Sequence, residues 1–508
     1  SRIALWQSRG SGASAPGGCW RAPMLSPPLD GRQAAARSGR YPTLDRCNTP
    51  NDALHRLVRD GFAELEDELA RADRTLPRHV EREVERFLAC GDPREGFAWL
   101  ACAECDHHRL VPFTCKGRGF CPSCGGRRMA ERAARWVDTL IPRVAVRQFV
   151  LTVPWPRRWL LARRPDLSKG VLAIALREVG RWLREEGTGQ PGGETGSLTV
   201  VQRFGSALDL NVHFHCLVLD GVFATDPRTG ALRWYRARAP TTEDVERIVE
   251  RIADKAEAYL ARQGFGRDED NEASEGDEDD ALSLIQAAAV AGRSATKRGR
   301  KARRVQVRGG KPFQLAPRCA TCDGYTLHAG VVIGAKDREG LERICRYIAR
   351  PPLAKPRIEV RTDGQVRILL KRPWSDGTTA VELTRLELVE RLVALVPPPR
   401  ANQVHYHGVL ASRSRLRERV RPEPPAEKPA PASVGRRLSK KPRGRSRWTP
   451  WSTLLWRVFG AEGWSCPCCA RTMKLRAVVL PPATLGVLAS LERSARGPPS
   501  RETARLRA

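Results

Sequence analysis

The stretch Asn211-Val-His-Phe-His-Cys-Leu-Val-Leu219 decides how this chain is read. Side chains alternate faces along a β-strand, so His213 and His215 share one face while Phe214, Cys216 and Val218 bury the other. Two imidazoles placed this way can reach one ion. Asp220-Gly221 marks a turn after the strand, and Ser197–Phe204 before it is itself strand-like. Further out, Val144–Val153 reads as a strand ending at Pro154, and Tyr325–Ile333 as another. Thr241–Gln263 reads as a helix, with Val245, Ile248, Val249, Ile252, Tyr259 and Leu260 at helical intervals behind a Thr and an acidic first turn. Residues 358–370 suggest a hairpin turning at Asp363 and Gly364. Interleaved strands and helices of this kind predict an α+β protein.

The segment Leu341-Glu-Arg-Ile-Cys-Arg-Tyr-Ile-Ala-Arg-Pro351 reads as a helix within Asp337–Ala349 that ends before the proline. At about 100° per residue, Leu341, Ile344, Cys345 and Ile348 form the core-facing stripe, and Tyr347 projects from its flank. Arg343, Arg346 and Arg350 hold the other exposed positions, so a phosphate drawn to them is brought near the phenol.

Two Cys-x-x-Cys hooks, Cys102/Cys105 and Cys121/Cys124, have the spacing of a zinc ribbon. The expected centre is one Zn²⁺ held by these four thiolates, with Cys115, His107 and His108 in the intervening loop as alternates. Lys116, Arg118, Arg127 and Arg128 around the hooks suit nucleic acid. Cys466, Cys468 and Cys469 could make a partial metal knuckle, but no second pair follows them. Two helices precede the hooks, carrying Leu54, Leu57, Val58, Phe62, Leu65 and Leu69, then Val80, Val84, Phe87 and Leu88. Arg127–Leu140 follows as a third.

The whole chain has 508 residues and a formal net charge of +31, from 88 Lys and Arg against 57 Asp and Glu, so a polyanion is the default partner. No apolar run approaches the roughly eighteen residues of a membrane span. No signal peptide is evident, and a reducing cytoplasm is the expected compartment for the 15 cysteines. Residues 1–50 read as a disordered leader, 51–141 as a helical and zinc-binding domain, and 142–412 as the main domain, interrupted by a charged, solvated insertion at about 264–312. A basic linker over 413–447 leads to a small unit at 448–508 with Trp448, Trp451, Trp456 and Trp464.

Several of these segments together resemble the HUH-type rolling-circle transposases of bacterial insertion sequences, the insertion-sequence-ninety-one group. They are Val111-Pro-Phe-Thr-Cys-Lys-Gly-Arg-Gly-Phe-Cys-Pro-Ser-Cys124, Gln202-Arg-Phe-Gly205, Val212-His-Phe-His-Cys-Leu-Val-Leu-Asp-Gly-Val222, Gly324-Tyr-Thr-Leu-His-Ala-Gly330, Leu341–Pro352 and Tyr406-His-Gly-Val409. The resemblance spans most of residues 50–415. It implies a ferredoxin-like or RRM-like nuclease core in which His213 and His215 hold Mg²⁺ or Mn²⁺ with a third polar ligand, and Tyr347 is the nucleophile. Gln202 and His328 are the two candidates for that ligand. The implied reaction is cleavage and rejoining of single-stranded DNA at element ends through a 5′-phosphotyrosine, with no small-molecule substrate and a cytoplasmic, nucleoid-associated location. Arg343 and Pro351 stand where some relatives carry a second tyrosine, so a single nucleophile is expected. The competing readings are a non-catalytic zinc-dependent DNA-binding regulator and a rolling-circle replication initiator. His405-x-His407 has no assigned role.

Overall fold

Six strands lie side by side in the order Cys319–Cys322, Tyr325–Ile333, Val146–Thr152, Leu210–Leu219, Gly196–Phe204 and Val404–Gly408, each antiparallel to its neighbours. The histidine strand, Leu210–Leu219, is therefore interior to the sheet, as its apolar alternation requires. The computed structural model describes residues 43–44, 52–105, 107–266, 280–296, 301–306, 316–422 and 464–495. Those residues form two bodies, one of 56–84 and 117–422 that contains this sheet, and one of 43–44, 52–55, 85–116 and 464–495. The protein is α+β, with antiparallel sheets.

Cross-strand partners share a face. Thr326, Thr152, His213 and Gln202 form one row across the sheet, and His328, Val150, His215 and Val200 form the next. Farther along the same face, Leu217, Leu219, Leu198 and Val146 pack with Trp136, Val137, Leu140 and Ile141 and with Leu341, Ile344, Cys345 and Ile348. Those residues come from the helix Pro122–Thr139 and its end, and from the tyrosine helix Arg338–Ile348. One face thus runs from an apolar end, where two helices are seated, to a polar end that carries the histidines.

The opposite face presents Val212, Phe214, Cys216 and Val218, all buried, with Phe214 completely so. The helices Trp155–Arg163 and Thr242–Arg262 lie on this side. Tyr325 there donates its hydroxyl to Glu257 at 2.7 Å, and Arg157 pairs with the same carboxylate at 2.6 Å. A capping box between Thr241 and Asp244 starts the second of these helices, the device that the Thr and acidic first turn suggested. The expected turn at Asp220-Gly221 is held by a buried bidentate pair, Arg147 Nε and Nη2 donating to Asp220 at 2.7 and 3.0 Å. A Cβ at Gly221 would lie 2.1 Å from the Tyr235 carbonyl oxygen, so only glycine fits there.

The charged insertion needs correction. Within 264–312, Ala281–Ala291 is a helix begun by the Asp280 side chain and closed by Gly292 in the left-handed region, with Leu282, Ile285, Ala289 and Val290 buried. It lies beside the helix Arg385–Ala394, where Arg391 donates to the Gly292 carbonyl at 3.1 Å. Arg303–Gln306, inside the same expected insertion, pairs with Thr378–Leu383 as the edge of a second antiparallel sheet. The other strands of that sheet, Ile358–Val360 and Val366–Leu369, form the expected hairpin around Gly364. Flanking runs of charge hid an apolar core segment.

The second body is built on His108–Pro112, Phe97–Ala101 and Lys474–Val479, successively antiparallel, with the two-residue strand Thr43–Leu44 parallel to the first. Helix Ala483–Ala495 follows. The rest of the expected leader, most of the 413–447 linker, and Trp448, Trp451 and Trp456 lie outside the described residues.

Candidate active site and metal centres

At the polar end of the sheet, His213 and His215 are buried with ring centroids 4.9 Å apart. His213 Nδ1 donates to the Asn211 carbonyl at 2.9 Å. A carbonyl only accepts, so this bond puts the proton on Nδ1 and leaves the Nε2 lone pair available. His215 Nδ1 accepts from the Gln148 side-chain amide nitrogen at 2.8 Å, and its buried Nε2 has no hydrogen-bond partner. Only with the Gln148 amide flipped, its oxygen accepting from Nδ1–H, is the Nε2 lone pair of His215 left available to an ion. Burial is the main cause that brings His213 down to about 4, offset in part by its bond to Asn211 and reinforced by Arg350 and Arg158. Burial, then His213 and Arg350, hold His215 well below the usual histidine range. Both rings are therefore neutral at neutral pH, the form that ligates metals.

The two candidates for a third ligand are placed differently. Gln202 is the direct cross-strand partner of His213. Its amide nitrogen donates to the Ile348 carbonyl at 2.6 Å, at the free end of the tyrosine helix, and its buried Oε1 has no partner. His328 shares the row of His215 but stands two strands away beyond Val150, on the order of 10 Å at sheet spacing. Gln148, which sequence reasoning missed, sits on the strand between them. Its signal was available in the register of Val146–Thr152 against the histidine strand, but register follows only from tertiary pairing.

Tyr347 is half-buried and stands edge-on to His215, ring centroids 5.7 Å apart. The Arg350 guanidinium lies 4.5 Å from the Tyr347 ring centroid and 5.4 Å from that of Phe204, and Lys371 Nζ lies 5.9 Å from the Tyr347 ring. Crowding by surrounding chain, then Arg350 and Arg357, draw Lys371 down to about 8. Arg346 is half-buried on the same helix, while Arg343 is exposed and only 4.0 Å from Asp337 and Glu339. Lys116, Arg118 and Arg127 are exposed. Arg128 donates to the Gly117 carbonyl at 2.8 Å. The second His-x-His does not join the site. His405 and His407 pair with Thr199 and Ser197 on the opposite face, whereas Tyr406 accepts a hydrogen bond from Trp136 Nε1 at 3.0 Å.

The expected zinc set is not brought together. Cys102 and Cys105 converge with Cys466 and Cys469, all four sulfurs within 4.8 Å of one another. Cys121 and Cys124 are not part of this group. The two hooks were read as one ribbon because they are neighbours in sequence. Strand pairing separates them, since Phe97–Ala101 leads its hook to Lys474–Val479 and not back to the second hook. The Cys466/Cys469 hook is itself a Cys-x-x-Cys, disguised by Cys468 between its members.

With this geometry in hand, comparison with known proteins is informative. Residues 61–153 match the transposase zinc-binding domain and residues 196–417 match a family model of transposases. No curated protein and no solved structure matches the chain. Together the two matches describe a zinc-binding transposase. The chain belongs to the insertion-sequence-ninety-one family of transposases. Its process is DNA transposition, its partner DNA, and the cysteine clusters support structural Zn²⁺. Among the described residues, no helix is long and apolar enough to cross a membrane.

Proposed function

We propose that the protein cleaves and rejoins single-stranded DNA at element ends, with Tyr347 as the nucleophile. The observation that carries the reading is the meeting of Tyr347 with two buried, unpartnered donor atoms, His215 Nε2 and Gln202 Oε1, on one sheet face. Buried polar atoms are ordinarily satisfied, so two orphans beside a tyrosine suit a site built for an absent group. Two imidazoles and an amide oxygen fit a divalent ion of the Mn²⁺ or Mg²⁺ class. They are neutral, so the full charge of such an ion is left for a phosphate. Bound by His213, His215 and Gln202, Mg²⁺ or Mn²⁺ would supply Lewis-acid polarisation of the scissile phosphate.

The chain's own groups do the rest. Arg350 and Lys371 attract the phosphate to the flank of Tyr347. Gln202 ties the tyrosine helix to the histidine row through the Ile348 carbonyl, which fixes the distance between phenol and phosphate. Tyr347 Oη attacks phosphorus and gives its proton to solvent. The bond to the 3′ oxygen breaks, and that oxygen takes a proton, leaving a 5′-phosphotyrosine and a free 3′-hydroxyl. The ester keeps the bond energy, so a later 3′-hydroxyl rejoins the strand without ATP.

The test incubates purified protein with labelled single-stranded DNA carrying the element's own ends, in Mn²⁺ or in EDTA, and resolves the products on a denaturing gel. Metal-dependent nicking supports the proposal. Binding without cleavage by folded, zinc-loaded protein supports a DNA-binding regulator instead.

A further inference from the structure

The matched zinc-binding domain ends at residue 153, yet Cys102 and Cys105 within it find their nearest thiol partners at Cys469 and Cys466, more than 300 residues later in the chain. The separations are 3.4 Å for Cys102 Sγ to Cys469 Sγ and 3.5 Å for Cys105 Sγ to Cys466 Sγ. Sulfurs on a tetrahedron with bonds of about 2.3 Å to zinc stand about 3.8 Å apart. With all four sulfurs within 4.8 Å of one another, the thiols need to move by no more than about an ångström to close on one ion. They are too far apart to be disulfides, whose S–S bonds are about 2.05 Å.

The backbone on both sides has the form of a metal hook. Cys102 N donates to the His107 carbonyl at 2.9 Å and Cys466 N to the Arg471 carbonyl at 2.7 Å, while Ala470 N closes the second turn on the Cys466 carbonyl at 2.8 Å. Ala470 takes a left-handed conformation there, at φ 57°. The antiparallel register sets Ala101 opposite Lys474, so the hook that follows one strand and the hook that precedes the other meet at the same end of the sheet. Leu100 and Met473 are the apolar neighbours of the cluster, and the other core joining the same strands among the described residues is the small group Phe97, Leu110 and Val479, so a metal adds to modest burial here.

We infer that Cys102, Cys105, Cys466 and Cys469 bind a structural zinc ion that fastens the C-terminal segment 464–495 to the N-terminal strands, making the second body one metal-stapled unit assembled from both ends of the chain. The zinc module of this protein is then larger than the matched domain. This inference does not depend on the tyrosine chemistry.

Zinc content of the full-length protein, by elemental analysis after exhaustive dialysis, tests it. The expected result is a zinc content lower by one ion per chain in Cys466→Ser/Cys469→Ser than in the wild type, and unchanged in Cys468→Ser, because Cys468 is exposed and outside the cluster. Unchanged zinc in the double variant, or iron in place of zinc, would overturn the inference. Wild-type protein provides an independent measure should the double variant misfold. Under iodoacetamide with mass spectrometry, Cys102, Cys105, Cys466 and Cys469 should be protected together and become reactive together on chelation, while Cys468 reacts throughout. Modification of Cys466 and Cys469 in zinc-loaded protein at the rate of Cys468 would contradict a shared ion.

Discussion

The ring of Tyr347 meets the ring of His215 edge to face, at 84° and 5.7 Å between centroids. The separation is that of a favourable aromatic pair, which gives the phenol one seat instead of several. Neither residue owes its place to the other. His215 is fixed by the sheet, and Tyr347 by the apolar stripe Leu341, Ile344, Cys345 and Ile348 of its helix. In the proposed mechanism, their meeting brings a metal-binding imidazole to the nucleophile.

The donor set can be dissected by metal affinity. His213→Ala and His215→Ala should each abolish measurable Mn²⁺ binding at the site in calorimetry, with zinc content unchanged. Gln148→Leu, which removes the orienting partner of His215, should weaken Mn²⁺ binding about 10- to 100-fold. Gln202→Leu should weaken it and His328→Leu should not; the opposite ranking would make His328 the third ligand.

Acid should destabilise the ion-free protein through the histidine pair. The folded values of His213 and His215 lie below the ordinary 6.5, that of His213 at about 4. Between those limits the unfolded chain binds protons that the folded chain refuses, so stability rises with pH across this window and is lost as pH falls from 6.5 toward 4. Urea titrations in EDTA should show this slope, and it should be shallower in His213→Gln/His215→Gln. Equal slopes would mean that the rings are not held neutral by burial.

Lys371 should contribute to DNA binding in a pH-dependent way. Its amine is drawn down to about 8, so the positive charge beside Tyr347 fades as pH rises from 7 to 9. Affinity for single-stranded DNA at fixed salt should weaken over that interval, and Lys371→Arg should remove the decline. An identical decline in the variant would place the titrating group elsewhere.

Phe214 anchors the histidine strand from behind. Phe214→Ala opens a cavity on the fully buried face and should cost about 3–5 kcal/mol in chemical denaturation. Metal affinity should fall with it, because the same strand carries both histidines. A loss under about 1 kcal/mol would show that the opposite face is not packed as described.

Much of the placement of the candidate site was legible because it depends on local periodicity. Alternation along Asn211–Leu219 put His213 and His215 on one face, and the helical stripe around Ile344 set Tyr347 on a flank; the strands and helices carrying them fall within a few residues of expectation. What could not be read depends on contacts between distant segments. Gln148 acts through a strand register, Lys371 reaches Tyr347 from a loop after Val366–Leu369, and Cys466 meets Cys105 across the chain. The zinc assignment failed for the same reason, since spacing identifies a hook but not the hook it faces. The apolar run Ala281–Ala291 was missed because acidic and basic flanks dominated its composition.

Covalent attachment of DNA to Tyr347 is the step on which the proposed reaction turns. Wild-type protein and Tyr347→Phe, which keeps the ring beside His215, would be incubated with labelled single-stranded element ends in Mn²⁺, digested with protease and analysed by mass spectrometry. The wild type should yield a nucleotide-modified peptide containing Tyr347, and the variant no adduct despite retained DNA binding and zinc. An adduct on another residue, or one that persists in Tyr347→Phe, would contradict attachment at Tyr347.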